Sequence, residues 1–460
     1  MTAVVLITAL LPFFLTQNTK KMYTISRYAH FFVSTRKEHL AYCSRSNSFM
    51  RLTPDLYDFL VQCKTDSKLI DKLDSKLNDA LKKHKIVVRK GDDDIYILKR
   101  QFADDATAYN TSSIGLVIAP TSACNFRCHY CFEKNKPNLQ MNDTTIQQLI
   151  TFINKHQGVN NIDITWYGGE PLLAFERLQK IYQAILTTNI PIKDHGIVTN
   201  GYLFDKNVID YFKDKNLKSI QITLDGDQKR HDSIRTPIGT NDGSYNIILS
   251  NIERILKELP QTTLAIRVNI DKDNINSYEL IFRELIQRFN NDNLLVYPGF
   301  LRIDNQTGTA LSCSAIDRPE ANHFDFEMIK KNVNSGNIYP TLSCGSGCCA
   351  TVINSYVIGP DGEFYKCWND MGDPNRAIGH IGQEQLSNPE LFYKYMVGSK
   401  WYHNSDCVKC FFLPICSSSC AYYRLRNKYE GGQYNLCQCM QKSDNLLNET
   451  LEYWLYNQKK

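Results

Sequence analysis

The sequence has little net charge for its length. Lys and Arg number 53 against 48 Asp and Glu, so the formal net charge is only +5 over 460 residues. Nucleic acids and anionic membranes attract concentrated positive charge, and no such concentration is visible along the chain. We therefore expect no nucleic-acid partner.

The beginning of the chain lacks several features of a signal peptide. The run "AVVLITALLPFFL" is apolar, but no Lys or Arg precedes it and no clear small-residue cleavage site follows it. The run is also too short to span a bilayer, so we expect no stable membrane span. Two interpretations of residues 1–21 stay open, an apolar leader and a misassigned start ahead of Met22.

The cysteines are numerous and clustered. Of the 16, three lie in "CNFRCHYC" at residues 124–131 and eleven lie between Cys313 and Cys439. Disulfide frameworks suit small secreted domains, whereas this chain is long enough for two or three domains with cores of their own. The pattern therefore favours a reducing, cytoplasmic setting in which clustered thiols bind metal.

The motif at residues 124–131 lacks a fourth ligand. A structural zinc site normally closes with a fourth Cys or His, and His129 lies inside the loop, where it could hardly reach the metal. A 4Fe-4S cluster held by three thiolates instead leaves one iron open. Such an iron can chelate the amino and carboxylate groups of a small molecule and pass it an electron.

Residues 22–110 predict a winged-helix-like module. Strand patterns are followed by two helices, and "VVRKGDDDIYILKR" is typical of a hairpin with its turn at residues 91–94. Asp71, Asp74 and Asp79 lie on the candidate recognition helix and would face phosphates if the module bound DNA. Peptide recognition is therefore the favoured interpretation.

Residues 111–330 alternate between strand and helix patterns. Six strands with intervening helices predict a parallel sheet, closed or partly closed as in a (β/α)6 TIM-like barrel. Polar and glycine-rich motifs follow the first four strands, and in such barrels the chemistry lies at the carboxyl ends of the strands. We expect these motifs to converge on one face.

The opening motif resembles the signature of the radical S-adenosylmethionine superfamily, C-x3-C-x2-C with an aromatic residue, here Tyr130, before the third Cys. The "GGEP" motif after the second strand agrees with this resemblance. It implies that a 4Fe-4S cluster is bound by Cys124, Cys128 and Cys131. It also implies a cofactor pocket lined by Tyr130, Gly168, Gly169, Glu170, Pro171, Thr199, Asn200, Asp225 and Arg235.

Two of these elements have specific implied roles. "GGEP" would take the amino group of S-adenosylmethionine, and Arg235 is the candidate for its carboxylate, because a guanidinium donates two parallel hydrogen bonds. The alternative for Arg235 is a surface ion pair with a neighbouring acid such as Asp232.

Residues 331–460 resemble the SPASM extension of peptide-modifying radical enzymes. The spacings are C-x12-G-x4-C from Cys349 and C-x2-C-x5-C-x3-C from Cys407. The resemblance implies two auxiliary 4Fe-4S clusters. The first would use Cys367, Cys420 and two of Cys344, Cys348 and Cys349; the second would use Cys407, Cys410, Cys416 and either Cys437 or Cys439. Zinc ribbons are the alternative for this tail.

The predicted protein is therefore an α/β enzyme with a partial barrel, an N-terminal winged-helix-like module and a C-terminal iron–sulfur domain. The resemblance implies cleavage of S-adenosylmethionine to a 5′-deoxyadenosyl radical, oxidative crosslinking of a ribosomally made peptide with a leader, and a flavodoxin- or ferredoxin-type electron donor.

Two alternative functions stay open, an anaerobic sulfatase-maturing enzyme and a non-catalytic iron–sulfur scaffold. In the sulfatase-maturing enzymes an Asp that serves as base directly follows the Cys of G-x4-C. Here Trp368 stands in that place, and Asp370 is the nearest acid and the candidate base.

Overall fold

The computed structural model describes residues 22–131, 138–240, 242–301, 316–333, 341–343, 347–417, 419–437 and 444–457. The chain forms two compact units. The first holds the described residues up to Lys99 together with Lys409–Ile415, and the second holds Arg100–Val408 and the residues from Cys416 onward. Within the described ranges, no helix is both long and apolar enough to cross a membrane.

The first unit contains two small antiparallel sheets. Its strands are β1 (Tyr23–Ile25), β2 (Ala29–Val33), β3 (His39–Cys43), β4 (Ser48–Leu52) and β5 (Val87–Arg89). β3 is central between β2 and β4, and β1 pairs with β5. Helix α1 (Pro54–Cys63) begins as its Thr-Pro start predicts, because the Thr53 side chain accepts a hydrogen bond from the Leu56 amide and caps the first turn.

Two details of the predicted module are corrected. The expected hairpin is wrong, because only its first half is a strand, and the chain continues into helix α3 (Asp92–Ala108). The three acidic residues at the start of α3 suit the positive end of the helix dipole. The candidate recognition helix is also interrupted: a 3-10 helix (Ser67–Lys72) precedes α2 (Ser75–Lys83), and the exposed Asp74 carboxylate caps α2 by accepting hydrogen bonds from the Lys76 and Leu77 amides.

The second unit is built on the predicted alternation, and the α/β class with a partial (β/α)6 barrel is confirmed. Six parallel strands are neighbours in chain order: β6 (Ser113–Ile118), β7 (Asn161–Trp166), β8 (Ile192–Thr199), β9 (Ser219–Leu224), β10 (Thr263–Ile270) and β11 (Leu294–Phe300). The helices are α4 (Asp143–Lys155), α5 (Phe175–Leu186), α6 (Lys206–Phe212), α7 (Gln228–Ile234), α8 (Tyr245–Glu258) and α9 (Tyr278–Phe289).

Hydrophobic burial explains this arrangement. In β7, Ile162, Ile164 and Trp166 alternate with half-buried residues, so every second side chain enters the core. Helix α5 buries its apolar residues at helical spacing against the sheet. Because the strands are parallel, the loops that follow them lie at one edge of the sheet.

The cysteine-rich tail extends the same sheet, which the sequence analysis did not predict. β12 (Ser355–Ile358) lies parallel beside β6, and β13 (Glu363–Tyr365) and β14 (Gly379–His380) follow as antiparallel strands. A Cβ on Gly115 would lie 2.9 Å from the Ser355 hydroxyl oxygen, so this glycine permits the pairing. The remaining helices are α10 (Arg318–Lys330), α11 (Pro389–Tyr393), α12 (Ser405–Lys409), α13 (Ala421–Tyr429) and α14 (Asp444–Tyr456).

Candidate active site

The loops after β6, β7 and β8 are joined by hydrogen bonds. The Glu170 amide donates to the Ala123 carbonyl oxygen at 2.8 Å, which ties the β7 loop to the β6 loop. The Asn200 side-chain amide donates to Asn125 Oδ1 at 2.7 Å, which ties the β8 loop to the same segment. The structure thus brings the "GGEP" and Thr-Asn motifs against the start of the cysteine loop.

The two glycines of "GGEP" permit a close approach of two backbones. A Cβ on Gly168 would lie 2.4 Å from the Thr121 carbonyl oxygen, and one on Gly169 would lie 2.2 Å from that of Ala123. Gly168 also has a φ of +120°, a conformation that other residues rarely adopt. Any side chain at either position would push the β7 loop away from the cysteine loop.

Glu170 holds the turn after β8. Its Oε1 accepts hydrogen bonds from Thr199 Oγ1 at 2.7 Å and from the Leu172 amide at 3.0 Å, and its Oε2 accepts from the Asn200 amide at 2.7 Å. The side chain is 1% exposed, and this burial raises the pKa of the Glu170 carboxyl. Pro171 follows as the first residue of a short 3-10 helix that Glu170 caps. These contacts make Glu170 an organiser of the site backbone.

Tyr130, Asp225 and Arg235 form one buried polar network. The Tyr130 hydroxyl donates to the Asp225 carboxylate at 2.6 Å and accepts hydrogen bonds from Arg235 Nη2 at 2.7 Å and Asn269 Nδ2 at 3.1 Å. Arg235 Nε also donates to Asp225. Burial alone would raise the pKa of the Asp225 carboxyl, but the Arg235 charge and the donated hydrogen bonds hold it below its ordinary value.

The surface-pair alternative for Arg235 is wrong. Arg235 is 8% exposed and forms an ion pair with Asp225. The Asp232 carboxylate instead accepts a hydrogen bond from the backbone amide of Tyr245. Its predicted role in binding a carboxylate stays a prediction. His231 also contacts the network, because its Nδ1 accepts a hydrogen bond from the Asp225 backbone amide at 3.3 Å. Burial lowers the pKa of His231 to about 4, so this acceptor nitrogen stays unprotonated at neutral pH.

The three thiols of the opening motif lie on one loop beside these groups. Cys128 is buried, and Cys124 and Cys131 are half-buried. Burial raises the pKa of Cys124 to about 12, and its sulfur accepts a hydrogen bond from the Phe126 amide at 3.4 Å. Cys128 and Cys131 both act electrostatically on the Cys124 thiol. Across the described ranges, no three Cys, His, Asp or Glu side chains are grouped closely enough to share one metal ion.

Four tail cysteines from separate segments gather in the second unit. Cys348 and Cys349 begin a 3-10 turn, Cys367 follows β13, and Cys420 directly precedes α13. The Cys367 thiol interacts electrostatically with those of Cys420 and Cys348, and the adjacent pair shares a hydrogen bond that lowers the pKa of Cys348. Gly362, at the hairpin turn, has a φ of +91°. Cys344 lies outside the described residues.

The other predicted tail ligands are less fully described. Cys407 lies on α12, Cys416 precedes α13, and Cys437 is exposed near the end of a described segment. Cys410 belongs to the segment counted with the first unit. Cys439 lies outside the described residues.

Asp370, the candidate base, is already engaged. Its carboxylate accepts hydrogen bonds from Arg376 Nε at 2.8 Å and from the Tyr395 hydroxyl, and the side chain is 1% exposed. Burial raises the pKa of Asp370, although Arg376 opposes this. Trp368 is half-exposed and packs on Tyr167, with 5.3 Å between ring centroids. The arrangement resembles a structural ion pair more than a free base, and the catalytic role of Asp370 stays a prediction.

The comparisons with known proteins agree with this geometry. Residues 118–285, which contain the whole network, match the model of the radical SAM superfamily. These residues form a radical SAM domain. The chain therefore contains the catalytic domain of an enzyme.

The similarity to curated relatives extends beyond this domain. The cysteine-type anaerobic sulfatase-maturating enzyme of Clostridium novyi is 25% identical over 67% of this chain and 88% of its own length. The radical SAM cyclopropyl synthase TigE of Paramaledivibacter caminithermalis is 23% identical over 70% of each chain.

Two solved structures share the fold. Native anSMEcpe with bound AdoMet and Cp18Cys peptide superposes with a TM-score of 0.54 at 17% identity, over 75% of this chain and 97% of that one. SuiB of Streptococcus suis bound to the precursor peptide SuiA gives 0.51 at 16% identity, over 90% and 99%.

A radical SAM domain binds a 4Fe-4S cluster and S-adenosylmethionine, and the residues present fit both. Three soft thiols on one loop supply the iron ligands. The glycine pair lets the β7 loop pack directly against the loop that carries them. Asn125 Nδ2 is buried next to Cys124 and has no hydrogen-bond partner in the described part of the chain, as expected of a donor that awaits a ligand.

Several residues that organise the site were missed from sequence. Asn269 is the next-to-last residue of β10 and bonds the Tyr130 hydroxyl, and its position at a strand end is the signal that could have identified it. Asn125 lies inside the cysteine motif, but the motif specifies only the cysteines and the aromatic residue, so it gave no reason to single out Asn125. Arg424 and Lys366 are buried cations near the tail thiols, and their sequence surroundings carry no such signal.

Proposed function

We propose that this protein is a radical SAM peptide maturase with a SPASM-like tail, which oxidatively crosslinks residues of a ribosomally made peptide. The observation that carries the proposal is the gathering of Cys348, Cys349, Cys367 and Cys420 in the same compact unit as the radical SAM domain. A relative is named a cyclopropyl synthase, and a protein of the same fold is described with its precursor peptide. A peptide is therefore the favoured substrate.

The residues of the barrel would divide the work of binding the cofactor. Cys124, Cys128 and Cys131 would hold the cluster, and the "GGEP" segment, which the glycines let pack against the cysteine loop, would receive the amino group. When bound, the cluster and S-adenosylmethionine supply an electron and a 5′-deoxyadenosyl radical that abstracts a hydrogen atom. Arg235 offers its guanidinium to the carboxylate, held at a defined angle by Asp225 and Tyr130.

The tail would hold two auxiliary 4Fe-4S clusters with the ligand sets predicted above. Such a cluster would supply an acceptor for the one electron that is released when the substrate radical closes a new bond and loses a proton. Because its thiols come from several segments, the first set forms only in the folded chain. Zinc in these sites is the competing outcome.

The first unit would bind the leader of the peptide. β2 and β4 are the outer strands of its three-stranded sheet, so each has one side on which an extended peptide can pair through main-chain hydrogen bonds. Such a module holds the reacting segment by remote binding energy.

Sulfatase maturation is the second candidate, favoured by the similarity to the Clostridium novyi enzyme. The position that would carry its base holds Trp368, and Asp370 is bound to Arg376. This makes peptide crosslinking the better-supported function. A non-catalytic scaffold would bind clusters without cleaving the cofactor.

The test is an anaerobic reaction of the reconstituted enzyme with S-adenosylmethionine, a low-potential reductant and short peptides encoded beside its gene. Crosslinking predicts 5′-deoxyadenosine and a peptide that has lost two hydrogens, whereas a sulfatase peptide converted to formylglycine would support the second candidate. Cys128→Ala should abolish cleavage, and Cys63→Ala, which removes a buried thiol outside every motif, should not.

A further inference from the structure

A buried arginine lies among the predicted auxiliary-cluster ligands. Arg424 is on α13 and is 7% exposed. Its Nη1 donates to the Ser419 hydroxyl at 3.1 Å. Its Nε is buried and finds no acceptor among the residues that the structure describes. A buried guanidinium with an unsatisfied N–H is costly unless something negative lies beside it.

Arg424 lies one helical turn after Cys420, and its amide donates to the Cys420 carbonyl oxygen at 3.2 Å. Thiols from both predicted ligand sets act on it electrostatically. Its charge interacts with Cys407 and Cys416, assigned to the second set, and with Cys348 and Cys420, assigned to the first. In the described ranges no carboxylate pairs with it. Burial lowers its pKa from the ordinary value, the thiols oppose this shift, and an arginine side chain keeps its proton in proteins. One fixed positive charge is therefore shared by both sets.

We propose that Arg424 raises the reduction potentials of both auxiliary clusters. This inference rests on the proposed function, because it requires the tail to hold two 4Fe-4S clusters. Reduction adds one negative charge to a cluster, and a cation held nearby in a poorly polarisable interior stabilises the reduced form more than the oxidised form. The charge thereby makes each oxidised cluster a better acceptor for the electron released as the substrate radical closes its bond.

The experiment is an electron paramagnetic resonance redox titration of the anaerobically reconstituted full-length protein. Wild type is compared with Arg424→Gln, which removes the charge, and Arg424→Lys, which keeps it. Lys428→Gln is the matched control, because it removes a positive charge from the exposed side of the same helix. Iron and zinc are counted in every sample, and the radical SAM cluster, whose ligands share no residue with the tail, serves as an internal reference.

We expect Arg424→Gln to lower the ratio of reduced to oxidised cluster at a fixed potential by roughly tenfold for each auxiliary cluster, which is a shift of about 59 mV for one electron. Arg424→Lys should retain most of the wild-type potential, and Lys428→Gln all of it. Unchanged potentials in Arg424→Gln would overturn the inference while leaving the proposed function intact.

Loss of iron from the variants is also informative. If Arg424→Gln loses the tail iron and Arg424→Lys retains it with near-native potentials, the positive charge and not the shape of the side chain acts on the clusters, which supports the inference. If both variants lose iron, Arg424 acts through packing and the inference is wrong. Wild-type protein with only one cluster would instead contradict the proposed function.

Discussion

Glu170→Gln should weaken S-adenosylmethionine binding by loosening the turn after β8. The carboxylate accepts three hydrogen bonds through two oxygens, with Oε2 serving the Asn200 amide alone. Glutamine has the same shape but replaces one oxygen with an NH2 group. In one orientation that group faces the Asn200 N–H, and in the other it faces the Leu172 N–H. Either way, one buried amide loses its acceptor.

The magnitude follows from this count. Leaving a buried donor unsatisfied costs about 1–3 kcal/mol, and bonds to a charged acceptor lie at the stronger end of the range. The buried charge itself carries a desolvation penalty that raises the pKa of Glu170, so its removal offsets part of the cost. We therefore expect a loss of about 2 kcal/mol, or roughly 30-fold in the affinity for S-adenosylmethionine.

Equilibrium binding of S-adenosylmethionine to the cluster-loaded protein measures this effect, and urea unfolding reports the accompanying loss of stability. Glu176→Gln is the matched control, because it makes the same change on an exposed side chain one turn further along. The control should stay within about 0.5 kcal/mol of wild type. If Glu170→Gln binds the cofactor as tightly as Glu176→Gln does, the organising role assigned to Glu170 is refuted.

Three further predictions test other parts of the molecule. Anaerobic reconstitution should load about three 4Fe-4S clusters per chain, and iron near four atoms or stoichiometric zinc would contradict the two auxiliary sites. Deleting residues 22–99, the part of the predicted module that lies in the first unit, should leave cofactor cleavage intact, since the radical SAM motifs lie beyond it, but should collapse peptide modification; full modification by the truncated enzyme would make the module structural only. Burial lowers the pKa of His195 to about 4 from the 6.5 of an unfolded chain. The neutral His195 therefore contributes up to about 3 kcal/mol to the free energy of unfolding above pH 6.5, and this contribution is lost as the pH falls towards 4. The change in urea midpoint between about pH 7.5 and about pH 5.5 should shrink in His195→Gln, and an equal change would count against this assignment.

The barrel was predictable because its signals are local and repeated. Buried strands such as Ile114–Ile118 and amphipathic helices such as α5 bury one face each, so period and length reveal them. The hairpin expected after Val87 was wrong because period and length do not decide for so short a segment. "DDDIYILKR" is compatible with either a strand or a helix. Its three aspartates favour a helix start, which the strand interpretation overlooked.

The candidate site divides in a similar way. Cysteine spacing and "GGEP" point to cofactor binding because the ligands and glycines lie within a few residues of one another. The partners of Arg235 could not be inferred from spacing, because Asp225 and Tyr130 reach it from the loops that follow two different strands. The nearest acid in sequence, Asp232, was therefore the wrong partner.

The sequence by itself determined the α/β alternation, the loops that carry the cofactor motifs and the abundance of soft ligands. These properties depend on residue type and on contacts between near neighbours in the chain. The tertiary structure alone decided that β12 joins the barrel sheet beside β6, that Glu170 holds the β8 turn and that Arg424 lies among thiols of two predicted sites. Each of these depends on burial of polar groups whose partners are distant in sequence, and a buried charge or N–H is satisfied only when folding brings that partner into contact.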